Sequence, residues 1–338
     1  MWIRPGFEVY WRGPGESQIG LDPRYALILD GLETAEQRLL ERLHRCFDLT
    51  EVRAHGRELG LTTARVDALI DRLRSAGYVL SGPVPAVHPQ LQTGPDDGYW
   101  HRAALAGHPR GGQRSAATVR VRGLDPLGLR IGAALVHAGV GTVVVDDDTS
   151  VRAGDIGGGL YRPGDIGRPR QDCAMTVLRT VNPKVRICPP APGAVDLVVI
   201  VQSGVADPVM YRDLVRQDVT HLPVLVRDLD VVLGPLVQPG SGPCLRCLDL
   251  HRSDQDPRWP TVATQAASRP ARGAETSLTW VGAALTAHQV LALVDGRDTA
   301  VASTSLEVTA WDPVPARRRW SAHPDCGCVP AALSAEAG

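Results

Sequence analysis

Apolar and polar positions alternate, then recur at helical spacing, within the first eighty residues. Phe7-Glu-Val-Tyr-Trp11, Ser17-Gln-Ile-Gly-Leu21 and Tyr25-Ala-Leu-Ile-Leu29 predict three short strands parted by Gly-Pro and Asp-Pro turns. Helical spacing follows. Thr34 is placed as the cap of a helix running to about Cys46, with Leu39, Leu40 and Leu43 on one face. A short second helix covers Thr50 to Leu59. A third opens at Thr62-Thr63, sets Val66, Leu69, Ile70 and Leu73 on one stripe, and stops at Gly77. Three strands and three helices predict a small winged-helix-like α+β domain over residues 1–80.

Residues 81–117 are rich in Pro, Gly and His and read as a linker, with a short helix over Asp97–Leu105. From Thr118 strands and helices alternate. Strands are predicted at Val119–Arg122, Thr142–Val145, Val185–Cys188, Asp196–Val201, Pro223–Val226, Val231–Leu233 and Thr304–Thr309. Helices are predicted at Leu127–Ala138, Gln171–Val181, Pro208–Arg216 and Ser277–Asp295. Short apolar strands between amphipathic helices imply an α/β domain over 118–330, its sheet covered on both faces. The small acidic tail, 331–338, is expected to be disordered.

Composition narrows the function classes. A formal net charge of -1 gives no global electrostatic case for nucleic acid or an anionic membrane. The third helix mixes acids with its arginines, which argues against phosphate contact. Lys184 is the only lysine, so ammonium groups for phosphate binding are scarce. The N-terminal residues lack a basic start followed by an apolar core, so no signal peptide is expected. The apolar stretch Leu278–Val294 carries Thr279, Thr286, His288 and Gln289 and reads as a buried helix, not a membrane span. An odd number of cysteines, several clustered, points to the reducing cytoplasm.

The clustered cysteines carry the sharpest chemistry. Cys244-Leu-Arg-Cys247 is answered far along the chain by His323-Pro-Asp-Cys326-Gly-Cys328. Two close thiol pairs suit one tetrahedral zinc, and four sulfurs leave no position open for catalysis, so a structural staple is expected. A redox dithiol and disulfides also use close cysteines, and His323 offers a nitrogen in place of one sulfur. The lead-in Pro239-Gly-Ser-Gly-Pro243 resembles a zinc knuckle more than the strand-to-helix entry of a redox motif.

A second pattern begins at Val119. A strand, the turn Gly123-Leu-Asp-Pro-Leu-Gly128, a helix and a second strand ending in Asp146-Asp-Asp148 follow the order of a mononucleotide-binding unit. In such units amides at the helix start hold phosphate and the acid takes the ribose.

The Gly turn, "HAGVGTVVVDDD", "DIGRPR", "TVNPKVRI" and the paired cysteines make residues 118–330 resemble the ThiF/MoeB superfamily, the ubiquitin-activating fold. That resemblance implies a Rossmann-like sheet, a homodimer, and an ATP–magnesium site built on Gly123, Gly128, Asp146 and Arg170. The site is expected to be degenerate: Asp125 and Pro126 replace glycines, Gly157 falls where an arginine is expected, Arg170 replaces a lysine, and Ser203 replaces the magnesium-binding aspartate. No cysteine lies in Arg252–Ser277, so thioester transfer is not expected.

The final "HPDCGC" and the N-terminal domain are also similar to ThiF-like proteins of azoline peptide (TOMM) biosynthesis, with a PqqD-like peptide-recognition domain. This similarity implies a non-adenylating scaffold that binds a leader peptide and presents it to a YcaO-type partner. Strand addition would use Tyr25, Leu27 and Leu29, with Leu69 and Leu73 on the opposing helix. The alternative is an ATP-dependent adenylyltransferase.

Overall fold

A computed structural model describes residues 2–3, 7–43, 46, 48–81, 99–100, 103–104, 114–158, 160–191, 193–312 and 314–329. Most of the predicted linker helix, most of the linker and all of the tail lie outside these. The chain divides into two compact units, Met1–Arg110 and Gly111–Gly338.

In the first unit β1 (Trp2–Ile3) pairs antiparallel with β5 (Val79–Leu80). Strands β2 (Val9–Gly13), β3 (Glu16–Ile19) and β4 (Leu27–Leu29) form an antiparallel sheet in that order, leaving β4 at an edge. Helices α1 (Thr34–Arg42), α2 (Leu49–Glu58) and α3 (Thr63–Ser75) follow. Thr34 is the first residue of α1, not its cap: Glu33 caps, and its N–H donates to the Glu36 carboxylate at 2.8 Å. Thr62 caps α3 by accepting from Arg65 N. Leu39, Leu40, Val66, Leu69, Ile70 and Leu73 interlock in the core with Ile19 and Leu29. Buried Gln37 ties helix to sheet, donating to the Gly13 and Glu16 carbonyls at 3.0 and 2.9 Å.

The second unit is an eight-stranded sheet in the order β13-β12-β11-β10-β9-β6-β7-β8. Its parallel part comprises β6 (Thr118–Arg122), β7 (Thr142–Asp146), β8 (Arg186–Cys188), β9 (Leu197–Ser203) and β10 (His221–Val226). Strands β11 (Asp230–Leu233), β12 (Thr304–Thr309) and β13 (Ala316–Arg319) extend it antiparallel. The strand order reverses between β6 and β9, where doubly wound folds place ligands at the carboxyl ends.

Alternation along β9 sorts the two faces. Leu197, Val199 and Val201 join a core with α4 (Pro126–His137), α5 (Arg170–Val181) and α9 (Thr276–Val294). Val198 and Ile200 face α6 (Pro208–Arg216), α7 (Leu245–Gln255) and the cysteines. Helix α9 is long and apolar enough by composition to cross a membrane, yet 50% of its apolar window is buried in this unit. Helix α8 (Trp259–Ala267) lies within the cysteine-free stretch 252–277.

Candidate functional site

The four clustered thiols converge. Cys244 lies directly before α7 and Cys247 one turn inside it, so the first pair does open a helix, unlike the knuckle entry expected from its prolines and glycines. A turn closed by Cys326 N–H on the His323 carbonyl at 3.0 Å, with Gly327 at φ +69°, presents the second pair. Sulfur–sulfur distances are 3.9 Å (Cys244–Cys247), 3.5 Å (Cys244–Cys326) and 3.3 Å (Cys247–Cys328), and all four sulfurs lie within 4.8 Å of one another. Zinc–sulfur bonds of about 2.3 Å in a tetrahedron put sulfurs about 3.8 Å apart, so the donor set fits zinc.

Electrostatics point the same way. A hydrogen bond from Cys244 holds the Cys247 thiol well below its usual range, while that coupling and burial push Cys244 up. Burial, then Cys247, pushes Cys328 up to about 12. A divalent cation would relieve this competition by accepting several thiolates together.

His323 is turned to other partners. Its Nε2 faces Asp254 at 2.9 Å, and its Nδ1 accepts the Asp325 N–H at 3.1 Å. His251, Asp254 and His323 form a second close group that the sequence did not single out. The His251 Nε2 is engaged by the Ser321 carbonyl at 3.0 Å, so this group is satisfied by its own hydrogen bonds.

At the switch point the amides of the turn expected to hold phosphate are taken by the chain's own acids. Gly123 and Gly128 are demanded by packing: a Cβ on Gly123 would sit 2.3 Å from the Val201 carbonyl oxygen, and one on Gly128 would sit 1.9 Å from that of Gly123. The Asp125 carboxylate accepts from the Leu127 and Gly128 amides, each at 3.0 Å. The Leu124 amide donates to Asp147 at 2.6 Å. Burial raises the Asp125 carboxyl, opposed by the Gly128 amide and Arg170.

Arg170 is buried beneath this turn. It meets Asp155 with three contacts of 2.7–3.0 Å, Thr149 Oγ1 at 3.1 Å and Asp147 at 3.5 Å. Asp146 instead stands at the end of β7, 3.8 Å from Arg122. Ser203 Oγ accepts the Arg272 N–H at 3.0 Å. Asp147 and Asp155 are thus central to the cradle, and only the run Asp146-Asp-Asp148 hinted at one of them.

The edge strand β4 and α3 flank a groove of about 690 Å³ lined by Leu27, Ile28, Leu29, Ala68, Arg72 and Ala76, among others. Leu69 and Leu73 are 2% and 1% exposed and belong to the core, so they offer no side chain to it. Leu29 is likewise 1% exposed, Leu27 is half-buried, and Tyr25 sits in the turn before β4. The apolar stripe of α3 marks its core face, whereas the groove uses the neighbouring stripe. Arg65, Arg72 and Arg74 of α3 are all ion-paired, with Glu33 and Glu36, Asp30, and Asp71 respectively.

No protein-family model and no curated protein matches the chain. Solved structures do. E. coli MccB with succinimide aligns at TM-score 0.63 and 12% identity over 98% of this chain and 100% of that one. The microcin C7 biosynthetic enzyme MccB in complex with N-formylated MccA aligns at 0.63 and 13%, over 97% and 99%. PaaA aligns at 0.65 and 13%, over 94% and 99%. The likeness shows the fold, which is of the ThiF/MoeB type.

Proposed function

We propose that this chain is a non-adenylating, ThiF-like scaffold that captures a leader peptide in its first unit and presents it to a separate modifying enzyme. One observation carries this reading: Asp125 and Asp147 occupy the Leu124, Leu127 and Gly128 amides that would otherwise hold phosphate. A phosphate would have to displace two carboxylates and face their charge. Arg170, the cation nearest in role to a phosphate-binding lysine, is already neutralised by Asp155 and Asp147. The cradle does not suit ATP–magnesium.

The β4–α3 groove supports peptide capture. An extended segment would gain main-chain hydrogen bonds from the strand edge and apolar contact with Ile28, Ala68 and Ala76. The ion pairs of α3 disfavour nucleic acid. In this reading residues 1–80 are a winged-helix, PqqD-like recognition domain and 81–117 a linker to an α/β domain over 118–330. Zinc is structural, the protein is a cytoplasmic homodimer, and its partner is a YcaO-type enzyme making azolines. MccB complexes that contain MccA lend the peptide class its support.

The competing reading is an adenylyltransferase acting on a peptide carboxylate, favoured by the full-length likeness to MccB, a protein also solved with ATP. ATP–pyrophosphate exchange with peptides encoded beside this gene separates them. The scaffold reading expects no exchange but retained peptide binding; exchange stimulated by a peptide refutes it.

A further inference from the structure

A pocket of about 350 Å³ lies at the start of β9, the end away from the switch point, where β6 and the last turn of α6 also line it. Arg120 of β6 is its cation. Register pairs Arg120 with Val144 of β7 and Val198 of β9, so the three side chains share a face and the guanidinium stem runs between two buried valines. Among the described residues Arg120 makes no hydrogen bond and no ion pair, and its Nε is buried. A guanidinium set against apolar surface with a buried donor unmet is costly.

Asp218 supplies the opposite charge. Helix α6 ends in a turn in which the Asp218 N–H donates to the Val215 carbonyl at 3.2 Å and the Val219 N–H to the Leu214 carbonyl at 2.9 Å. Asp218 thereby takes the left-handed position, φ 56°, that glycine usually fills. It is the single non-glycine residue at positive φ among those described. An acid there is opposed both by backbone sterics and by the negative end of the helix dipole, so stability does not account for it. Arg120 and Asp218 line one pocket without pairing to each other, which leaves both charges to be met from within it.

We propose that this pocket binds a free α-amino acid with an aliphatic side chain. The zwitterion sits between the two charges: its carboxylate meets Arg120, and its ammonium meets Asp218 at the carboxyl end of α6. Its side chain packs on Val195, Val198, Leu214 and Val219. An inorganic anion would face Asp218 as a like charge, and a simple cation would face Arg120. The site shares no residue with the peptide groove, the switch-point turn or the cysteine centre, and it does not rest on the scaffold reading.

The test titrates the full chain calorimetrically with L-leucine, with leucinamide, which lacks the carboxylate, and with N-acetyl-leucine, which lacks the ammonium. Leucine should bind, and each derivative should bind about tenfold more weakly or worse, as expected for loss of a charge-assisted hydrogen bond. Arg120→Met should cost leucine a similar factor. Asp218→Asn is the second arm, because asparagine keeps the left-handed turn and removes only the charge. It should weaken leucine by about tenfold while leaving the midpoint of thermal unfolding unchanged or raised, the reverse of what a purely structural residue would do. Absence of leucine binding, equal binding of the three ligands, or unchanged leucine affinity in either folded variant overturns the proposal.

Discussion

Arg170 lies against the Asp155 carboxylate with its Nε and Nη2 atoms 2.7–3.0 Å from the acid oxygens, and both side chains are under a tenth exposed. Its remaining Nη1 is 3.5 Å from Asp147, the acid that caps the Leu124 amide. One guanidinium therefore holds in place the carboxylate that occupies the Leu124 amide. The amides of the turn are thereby satisfied within the chain, which in the proposed reading closes it to anions.

Removing one member of this network should be more damaging than removing a matched pair. Arg170→Met leaves Asp155 and Asp147 buried without their cation, and breaking a buried pair this way costs about 3–5 kcal/mol. Arg170→Met with Asp155→Leu should recover a large part of that loss. Urea denaturation of the two variants checks this; a double variant less stable than the single one contradicts it.

The cysteine centre predicts one zinc per chain in reduced, freshly purified protein. Metal affinity and folding are linked, so a strong chelator should lower the midpoint of thermal unfolding. Cys247→Ser, which alters the one fully buried sulfur, should abolish stoichiometric zinc. Elemental analysis giving no zinc, or a chelator without effect on unfolding, rejects the staple.

Much of this architecture is legible in the residues, and the exceptions have physical causes. The apolar strands of the parallel sheet and the helices packed on it announce themselves because each buries a regular face. Strand β13 is Ala316-Arg-Arg-Arg319, all exposed, and an edge strand with no apolar face leaves no period to detect. Helices α7 and α8 are equally hard to see, α7 because its apolar positions scatter among charges and α8 because Pro260 and small residues mask its period. The cap of α1 moved by one residue because glutamate, not only threonine, can close a helix start through its neighbour Glu36. The self-filled cradle joins Arg170 to acids 15 and 23 residues earlier (170 − 155 and 170 − 147), a pairing that only tertiary structure creates.

His221 supplies a pH-dependent prediction. It is 0% exposed, its Nδ1 faces the Val219 carbonyl at 2.8 Å, and its Nε2 has no described partner. Burial lowers its basicity below the ordinary value of 6.5, against the opposing pull of that carbonyl. The unfolded chain therefore binds the proton more readily, so stability falls as pH drops below 6.5 and levels off once pH passes the lowered folded value. His221→Phe should flatten this part of the profile relative to the parent, both zinc-loaded, while losing the Val219 contact at neutral pH. Parallel stability profiles between pH 7 and 5 in parent and variant would remove His221 from the account.

Peptide capture at β4 can be separated from folding by the alternation of the strand itself. Antiparallel residues point both main-chain groups toward one neighbour and, at the next position, away from it. Leu27 and Leu29 share one direction, opposite Ile19 and Ser17, and Ile28 has the other. Proline at Leu27 and proline at Ile28 should therefore behave differently: one breaks the β3 ladder and destabilises the unit, the other removes only an outward amide and weakens peptide binding. Ile28→Asp tests the apolar side of the groove, since Ile28 is 48% exposed and its replacement should change stability by less than about 0.5 kcal/mol. Titration of the full chain with gene-neighbour peptides, followed by a salt series, provides the measurement. Weak salt dependence fits main-chain pairing, whereas phosphate contacts with duplex DNA would give a steep decline. Unimpaired peptide binding in Ile28→Asp and in the proline variant that still folds, or tight DNA binding without peptide binding, would exclude the β4 edge as the capture site.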